Sequence, residues 1–172
     1  MNMLLFGAGA LTWTLTEYTL HRSVGHTPRY KNPFTREHIR HHAKANYFAS
    51  SMKKAKIAAA AFAGMVALLT PIFGPVGAAS FATGFLSAYA LYEVLHRSLH
   101  TSPPINEYGR FLRRHHFHHH FENPKSNHGV SSPIWDILFG TFERSSKIRV
   151  PEKLKPLWLH PDTAPREYEI VC

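Results

Sequence analysis

Between Ile57 and Tyr92 the chain runs for 36 residues without a charged side chain. No other feature narrows its fold so far. At about 1.5 Å per residue, a helix over such a run can cross a hydrocarbon layer of roughly 30 Å and start back. The stretch TPIFGPVG at 70–77 puts Pro71, Gly74, Pro75 and Gly77 in mid-run, and these residues punctuate helices. The expectation is a helical hairpin, with a short alanine-rich arm over about 57–72 and a full-length return arm over about 76–95. Met1 to Thr16 is also uncharged, which predicts a first hydrophobic helix over about 1–20. That segment lacks the basic start of a cleaved leader and ends in Glu17 and His21, so it is expected to stay attached. A mean hydropathy of −0.23 favours a soluble helical protein, but an uncharged run this long is unusual in a soluble core helix.

The formal charge of +9 is distributed unevenly. All 20 Lys and Arg lie within 22–56 or 97–166, so the positive charge marks one side of the hydrophobic runs and does not form a surface for nucleic acid. By the positive-inside tendency both charged segments are cytoplasmic and the N-terminus lies on the opposite side. A length of 172 residues fits one domain. The expected fold is all-α, an integral membrane helical bundle with a cytoplasmic helical cap, organised as a single domain over 1–172. Segments 21–56 and 96–143 form the cap, and 144–172 is a cytoplasmic tail. The lone Cys172 excludes an intramolecular disulfide and a cysteine-based metal site.

Fourteen histidines are the anomaly of the composition. They gather as HRSVGH (His21, His26), HIRHH (His38, His41, His42), HRSLH (His96, His100) and RRHHFHHHF at 113–121. Residues three and four apart share a helix face, so His96 and His100 converge and an HxxHH triplet presents three imidazoles together. His21 and His26 are five apart and converge only if the helix ends between them, where Gly25 is well placed. In the last stretch two registers satisfy HxxHH, either His115, His118 and His119 or His116, His119 and His120, and spacing does not choose between them. The four groups supply ten candidate ligands. A closed structural zinc site uses about four, whereas two six-coordinate ions offer about twelve positions and leave about two open. The cap is therefore expected to hold a histidine-ligated dimetal centre. Imidazole suits zinc, copper, iron and nickel alike. Iron best explains an open all-nitrogen pair beside an apolar domain, because it activates O2 against unactivated C–H bonds, and zinc is an expected occupant in a purified sample. Glu17 and Glu93 lie about one turn before His21 and His96. A carboxylate near the bilayer costs about 2.5–3.5 kcal/mol on insertion scales, so both are expected to accept the second N–H of those ligands.

The segments EYTLHRSVGH, HIRHH, YEVLHRSLH and RRHHFHHHFENPKSNHGVSSPIWDILFGTFE resemble the fatty acid hydroxylase (sterol desaturase) superfamily of membrane di-iron enzymes. The resemblance extends from about Leu11 to Glu143 and is nearest the fatty acid 2-hydroxylase branch. It implies metal ligands at His21, His26, His38, His41, His42, His96 and His100, and it selects His116, His119 and His120 in the last box, with Phe121 as the following aromatic. His115 and His118 then become neighbours of the site. The implied activity is O2-dependent hydroxylation of a lipid acyl chain, with electrons from a separate donor of cytochrome b5, ferredoxin or flavin type, since a fused cytochrome b5 domain is not expected here. Two alternatives are a hydroxylase or desaturase of a sterol-like, hopanoid or carotenoid lipid, and a non-catalytic histidine-rich membrane metal-binding protein. The second does not account for the ordered boxes, because storage needs histidines but no fixed geometry. Arg97, Arg110, Arg113 and Arg114 are candidates for an anionic headgroup, and Phe81, Phe85, Tyr89 and Tyr92 share one face of the return helix. His128 is expected near the site, and His160 at the surface.

Overall fold

A computed structural model describes residues 1–26, 32–160 and 165–172. Residues 27–31 of the expected metal-binding segment and 161–164 of the tail lie outside the described residues. The helices are α1 (Met3–Thr19), α2 (Pro33–Ala43), α3 (Ser51–Thr101), α4 (Glu107–Phe121) and α5 (Ile134–Leu138). A π-helical turn, Leu20–Gly25, continues α1, and two short strands, β1 (Ile148–Pro151) and β2 (Tyr168–Val171), close the chain. The chain divides into two compact units, Met1–Thr16 with Ala49–Glu93 and Glu17–Phe48 with Val94–Cys172.

The first unit is the hydrophobic one. The two expected hairpin arms both fall inside α3, whose helical geometry breaks at Gly74 (φ 69°, ψ 167°). That backbone conformation is open to glycine and strained for other residues. Lys54 Nζ donates to Glu93 at 2.5 Å across 39 residues of sequence, so the arms return side by side. Against the return arm lies α1, where Trp13 packs on Phe85, Tyr89 and Tyr92 with ring centroids 5.3, 4.8 and 5.5 Å apart. The aromatic stripe of the return arm is thus packed against α1. The two backbones meet at glycines: a Cβ added at Gly9 would overlap the Phe81 carbonyl, and one at Gly84 the Phe6 carbonyl. Small residues at such crossings are what close helix packing in lipid requires. Large apolar side chains face outward, among them Leu4 (83 % exposed), Leu68 (74 %) and Ile72 (69 %). Among the described residues α3 is the one helix long and apolar enough to cross a membrane. The 17 residues of α1 are a shorter run than the 1–20 expected.

The second unit is built on capped helices. Asn32 accepts the Thr35 N–H at 2.9 Å to start α2, with Pro33 in its first turn, and Asn106 accepts the Gly109 N–H at 2.7 Å to start α4. Arg113 does not serve as a headgroup ligand. It is buried, donating to the carbonyls of Leu99 (2.8 Å) and Ser98 (3.1 Å) at the end of α3, with its guanidinium over the Trp158 ring. The Ser98 carbonyl also accepts the Ser102 N–H at 3.1 Å, whereas carbonyls of a helix's last turn such as that of Leu99 lack a partner within the helix, so the arginine serves as a cap. Arg97 lies over Phe48 and Arg110 pairs with Glu107.

The all-α expectation needs one correction. β1 and β2 form a two-stranded parallel sheet, Ile148 opposite Tyr168 and Val150 opposite Ile170. Ile148 and Val150 point inward and Arg149 outward, the period-two pattern of a strand. Their inner faces join Leu159 and Tyr168 around Phe117 of α4, so the tail is a packed support behind the histidine helix. The other described residues are helical or irregular.

The glycine crossing yields a stability test. Gly84→Ala forces the two backbones apart and is expected to destabilise by about 1–3 kcal/mol, as overpacking does. Gly64→Ala, with open space around its added Cβ, is expected to be neutral or stabilising, since alanine is the better helix former. Thermal unfolding of both variants in one detergent checks the contrast.

Candidate metal centre

Ten histidines from four segments come together in the second unit as two groups. His21, His26, His38, His42 and His119 form one, and His41, His96, His100, His116 and His120 the other. Within each group the five ligand-capable nitrogens lie within 4.8 Å of one another. Each HxxHH triplet is split between the groups and does not act as a unit. On α2 the four-apart pair His38 and His42 joins the first group and His41 the second. On α4 the four-apart pair His116 and His120 joins the second and His119 the first. The groups touch where His42 stacks on His120, ring centroids 4.0 Å apart and 6° from parallel. Residues three and four apart differ by one helical step, enough to face two adjacent sites.

The five-residue gap between His21 and His26 is bridged by a wider helix. In the π-helical turn Leu20–Gly25 hydrogen bonds run to the fifth residue, so residues five apart stack, and the two rings lie 5.4 Å apart. His26 itself caps the turn. Gly25 also leaves space for the His38 ring, which a Cβ there would strike at 2.8 Å.

Three rings have their tautomer set by a backbone carbonyl, which only accepts. Nδ1–H of His21 donates to His128 O at 2.5 Å, that of His119 to Ser126 O at 2.7 Å, and that of His41 to Tyr47 O at 2.8 Å. A neutral ring held this way presents a bare Nε2 lone pair to the group. The Nε2 of His26 lies 2.9 Å from those of both His119 and His38, and His100 Nε2 lies 2.9 Å from His116 Nε2. Nε2 of His21 and His42 and both ring nitrogens of His120 are buried with no hydrogen-bond partner among the described residues. An unsatisfied buried polar atom costs about 1–3 kcal/mol, and lone pairs converging on one point fit a cation. The residues present therefore suit metal ions.

Burial and the neighbouring imidazoles hold these rings neutral. His21, His38, His100, His116, His119 and His120 are all pushed well below the ordinary imidazole value, first by burial and then by adjacent rings. His26 is lowered to about 4 and His42 to about 3, again with burial first.

The other expected site residues are placed differently. Glu17 makes no direct hydrogen bond to His21: its carboxylate accepts from Val130 N (2.5 Å), Ser131 N (3.0 Å) and the Ser131 hydroxyl (2.5 Å), and the ring bonds a backbone carbonyl instead. Glu93 pairs with Lys54. The geometric reason is that a helix carries Cβ atoms outward, so a carboxylate one turn away reaches a neighbouring segment more readily than a ring on its own helix. His115 faces Asp136 at 3.2 Å and His118 faces Glu143 at 2.9 Å, so neither joins a group. The His128 ring is buried beside the first group, 5.2 Å from the His119 ring. His160 and Cys172 are exposed. Sequence reasoning missed the carbonyls of Tyr47, Ser126 and His128, which carry no side-chain signature, and Asp136, whose WD dipeptide was visible but had no assigned role.

Two adjacent five-histidine groups on a mostly helical frame define a protein with two sites that could hold metal ions. Comparison with known proteins narrows the class. Residues 6–141 match the family profile described as "Fatty acid hydroxylase", and the chain belongs to that family. It is 31 % identical over 142 residues to the dihydroceramide fatty acyl 2-hydroxylase FAH2 of Arabidopsis thaliana, covering 80 % of this chain and 60 % of that one. It is 34 % identical over 146 residues to the fatty acid 2-hydroxylase of Homo sapiens, covering 80 % of this chain and 39 % of that one. Among solved structures it resembles full-length scs7p, of which only the hydroxylase domain is visible, with a TM-score of 0.64 at 27 % identity over 84 % of this chain and 58 % of that one. The chain thus spans less than two thirds of each of these relatives.

Two outcomes follow from the site. In purified protein loaded with iron, His119→Ala is expected to lower bound metal sharply, while His118→Ala retains it, as metal analysis of the two variants will tell. Protons act on the same rings. Because the folded values of His26 and His42 lie below the 6.5 of a free imidazole, the stability held in the neutral rings is complete above about 6.5. It is lost as pH falls through about 4 and then about 3. Metal-free protein should show melting temperatures that are level above neutrality and drop steadily below pH 6.5.

Proposed function

We propose that this chain is an O2-dependent di-iron hydroxylase acting on the acyl chain of a membrane lipid or fatty acid. The observation that carries the reading is the pair of contiguous five-imidazole groups sharing α2 and α4. Ten ligands on two six-coordinate ions leave about two positions for O2 or a bridging oxygen. His21, His26, His38, His42 and His119 would hold one iron, and His41, His96, His100, His116 and His120 the other. Bound there, a pair of irons supplies reductive activation of O2 for insertion into a C–H bond. The reaction consumes O2, two electrons and two protons; one oxygen atom becomes the C–OH and the other leaves as water. The electrons come from a separate donor of cytochrome b5, ferredoxin or flavin type.

The chain's own residues do three things in this reading. Backbone carbonyls at Tyr47, Ser126 and His128 hold rings in the tautomer that ligates. Burial of His100, His116 and His119, at 0, 1 and 0 % exposure, keeps water from the site and the rings unprotonated. The apolar outer face of the first unit suits a membrane, and lysines at 53, 54 and 56 with Arg97 at the two ends of α3 favour a cytoplasmic metal site with the N-terminus on the opposite side. We read residues 1–172 as one functional domain. The similarity to the fatty acyl and fatty acid 2-hydroxylases of Arabidopsis thaliana and Homo sapiens supports an acyl chain over a sterol or carotenoid ring and points to carbon 2.

Expression in a lipid-producing host, followed by lipid mass spectrometry with 18O2, tests this. The expected result is a new hydroxylated acyl lipid carrying one labelled oxygen, absent with His119→Ala. Metal-loaded, reduced protein that turns over no lipid overturns the enzyme reading in favour of a metal-binding protein.

A further inference from the structure

We infer that Glu17 and Asp136 are positioning residues for the first histidine group alone, acting through a strap of backbone at 126–131. The inference rests on the reading that each group holds a metal ion. The strap has no regular secondary structure, so its amides need partners from outside. Four consecutive amides find them on two buried carboxylates. Asp136 accepts from His128 N (2.8 Å) and Gly129 N (2.7 Å), and Glu17 from Val130 N (2.5 Å) and Ser131 N (3.0 Å). Thr141 adds its hydroxyl to Asp136 at 2.8 Å, and Ser131 its own to Glu17. Asn127 begins the turn in the left-handed region (φ 55°). Its side-chain amide is bonded both ways to the Glu143 backbone, at 2.9 and 2.8 Å.

The carbonyls fixed by this arrangement are those that hold His119 and His21. Each carboxylate also ties the strap to the helix carrying the ring it orients. Glu17 sits one turn before His21, at the end of α1. Asp136 meets His115 on α4, one turn before His119. Both loops close: Glu17 and His21 lie on one continuous helical run, and Asp136, on α5, returns to the helix of His119 through its contact with His115. Hydrogen bonds to an ionised carboxylate are about twice as strong as neutral ones, which applies to Asp136, held below the usual carboxylate value. Burial pushes Glu17 up to about 7, and there three bonds to neighbouring strap groups supply the stiffness. The second group takes its carbonyl elsewhere, from Tyr47 to His41. This assigns a use to His115, the histidine left outside the ligand set: it anchors the strap.

The test is metal stoichiometry in full-length, detergent-purified protein loaded with iron, with helix content checked by circular dichroism. Asp136→Asn puts an NH2 where an acceptor is required, and it is expected to halve the metal, from about two ions per chain to about one. Added to His42→Ala, which already removes a ligand of the first group, it should cost no further metal. Added to His96→Ala, it should leave almost none. Glu17→Gln is the second variant, read in the same three backgrounds. Retention of both ions, or equal loss from both sites with helix content unchanged, overturns the strap. Wild-type protein that takes up no metal overturns the proposed function beneath it, a result distinct from either.

Discussion

A buried imidazole that donates one N–H to a carbonyl has only a lone pair left at its other nitrogen, and lone pairs repel. In the second unit His21, His41 and His119 are held this way. Nε2 atoms lie 2.9 Å apart between His26 and both His38 and His119 and between His100 and His116, and several buried ring nitrogens lack any hydrogen-bond partner among the described residues. An arrangement like this is unfavourable unless something positive draws the nitrogens together. Protonation cannot do so, because burial and neighbouring rings oppose it. Much of the remaining architecture follows from that demand: the π-helical turn that aligns His21 with His26, the glycine that lets His38 approach, and the two carboxylates that stiffen the strap.

The hydrophobic unit answers a different constraint. Its arms need no polar partners along their length, so close contact between backbones and an aromatic lock around Trp13 hold them. The ion pair between Lys54 and Glu93, only about a quarter exposed on each side, sits near the end of the hairpin, where the apolar run gives way to charge. Glu93 therefore closes the hairpin instead of orienting His96. A carboxylate at that depth still needs a cation, and the nearest lysine supplies it.

How much of this could be read in the sequence depended on whether a feature resides in side chains. The uncharged run, its break at Gly74 and the ten histidines are side-chain properties, and they were legible, as was the register His116, His119 and His120 once the family resemblance was invoked. The oxygens that orient His21, His41 and His119 belong to the backbone, and any residue supplies one; a sequence points to Glu17 and Glu93 for that task because carboxylates are visible in it and carbonyls are not. The sharing of each HxxHH triplet between two groups was hidden for another reason. Spacing shows which rings face one way on a helix, but the number of sites they face depends on the helices opposite. The two tail strands, four residues each, were too short to stand out against an otherwise helical chain.

The crowding of histidines on α4 then has a geometric account. Successive residues on a helix turn by about 100°, so a helix wedged between two metal groups, a backbone strap and a packed tail needs a different chemistry at almost every position. His116 and His120 turn to one group and His119 to the other, His115 takes Asp136 and the strap, Phe117 enters the apolar core with Ile148 and Val150, and His118 meets Glu143 near the surface. The same side chain serves as ligand, anchor and surface partner because imidazole can donate at one nitrogen and accept at the other. A ligand-only reading makes His115 and His118 redundant. Placed on the helix, each faces a direction that the ligands cannot cover.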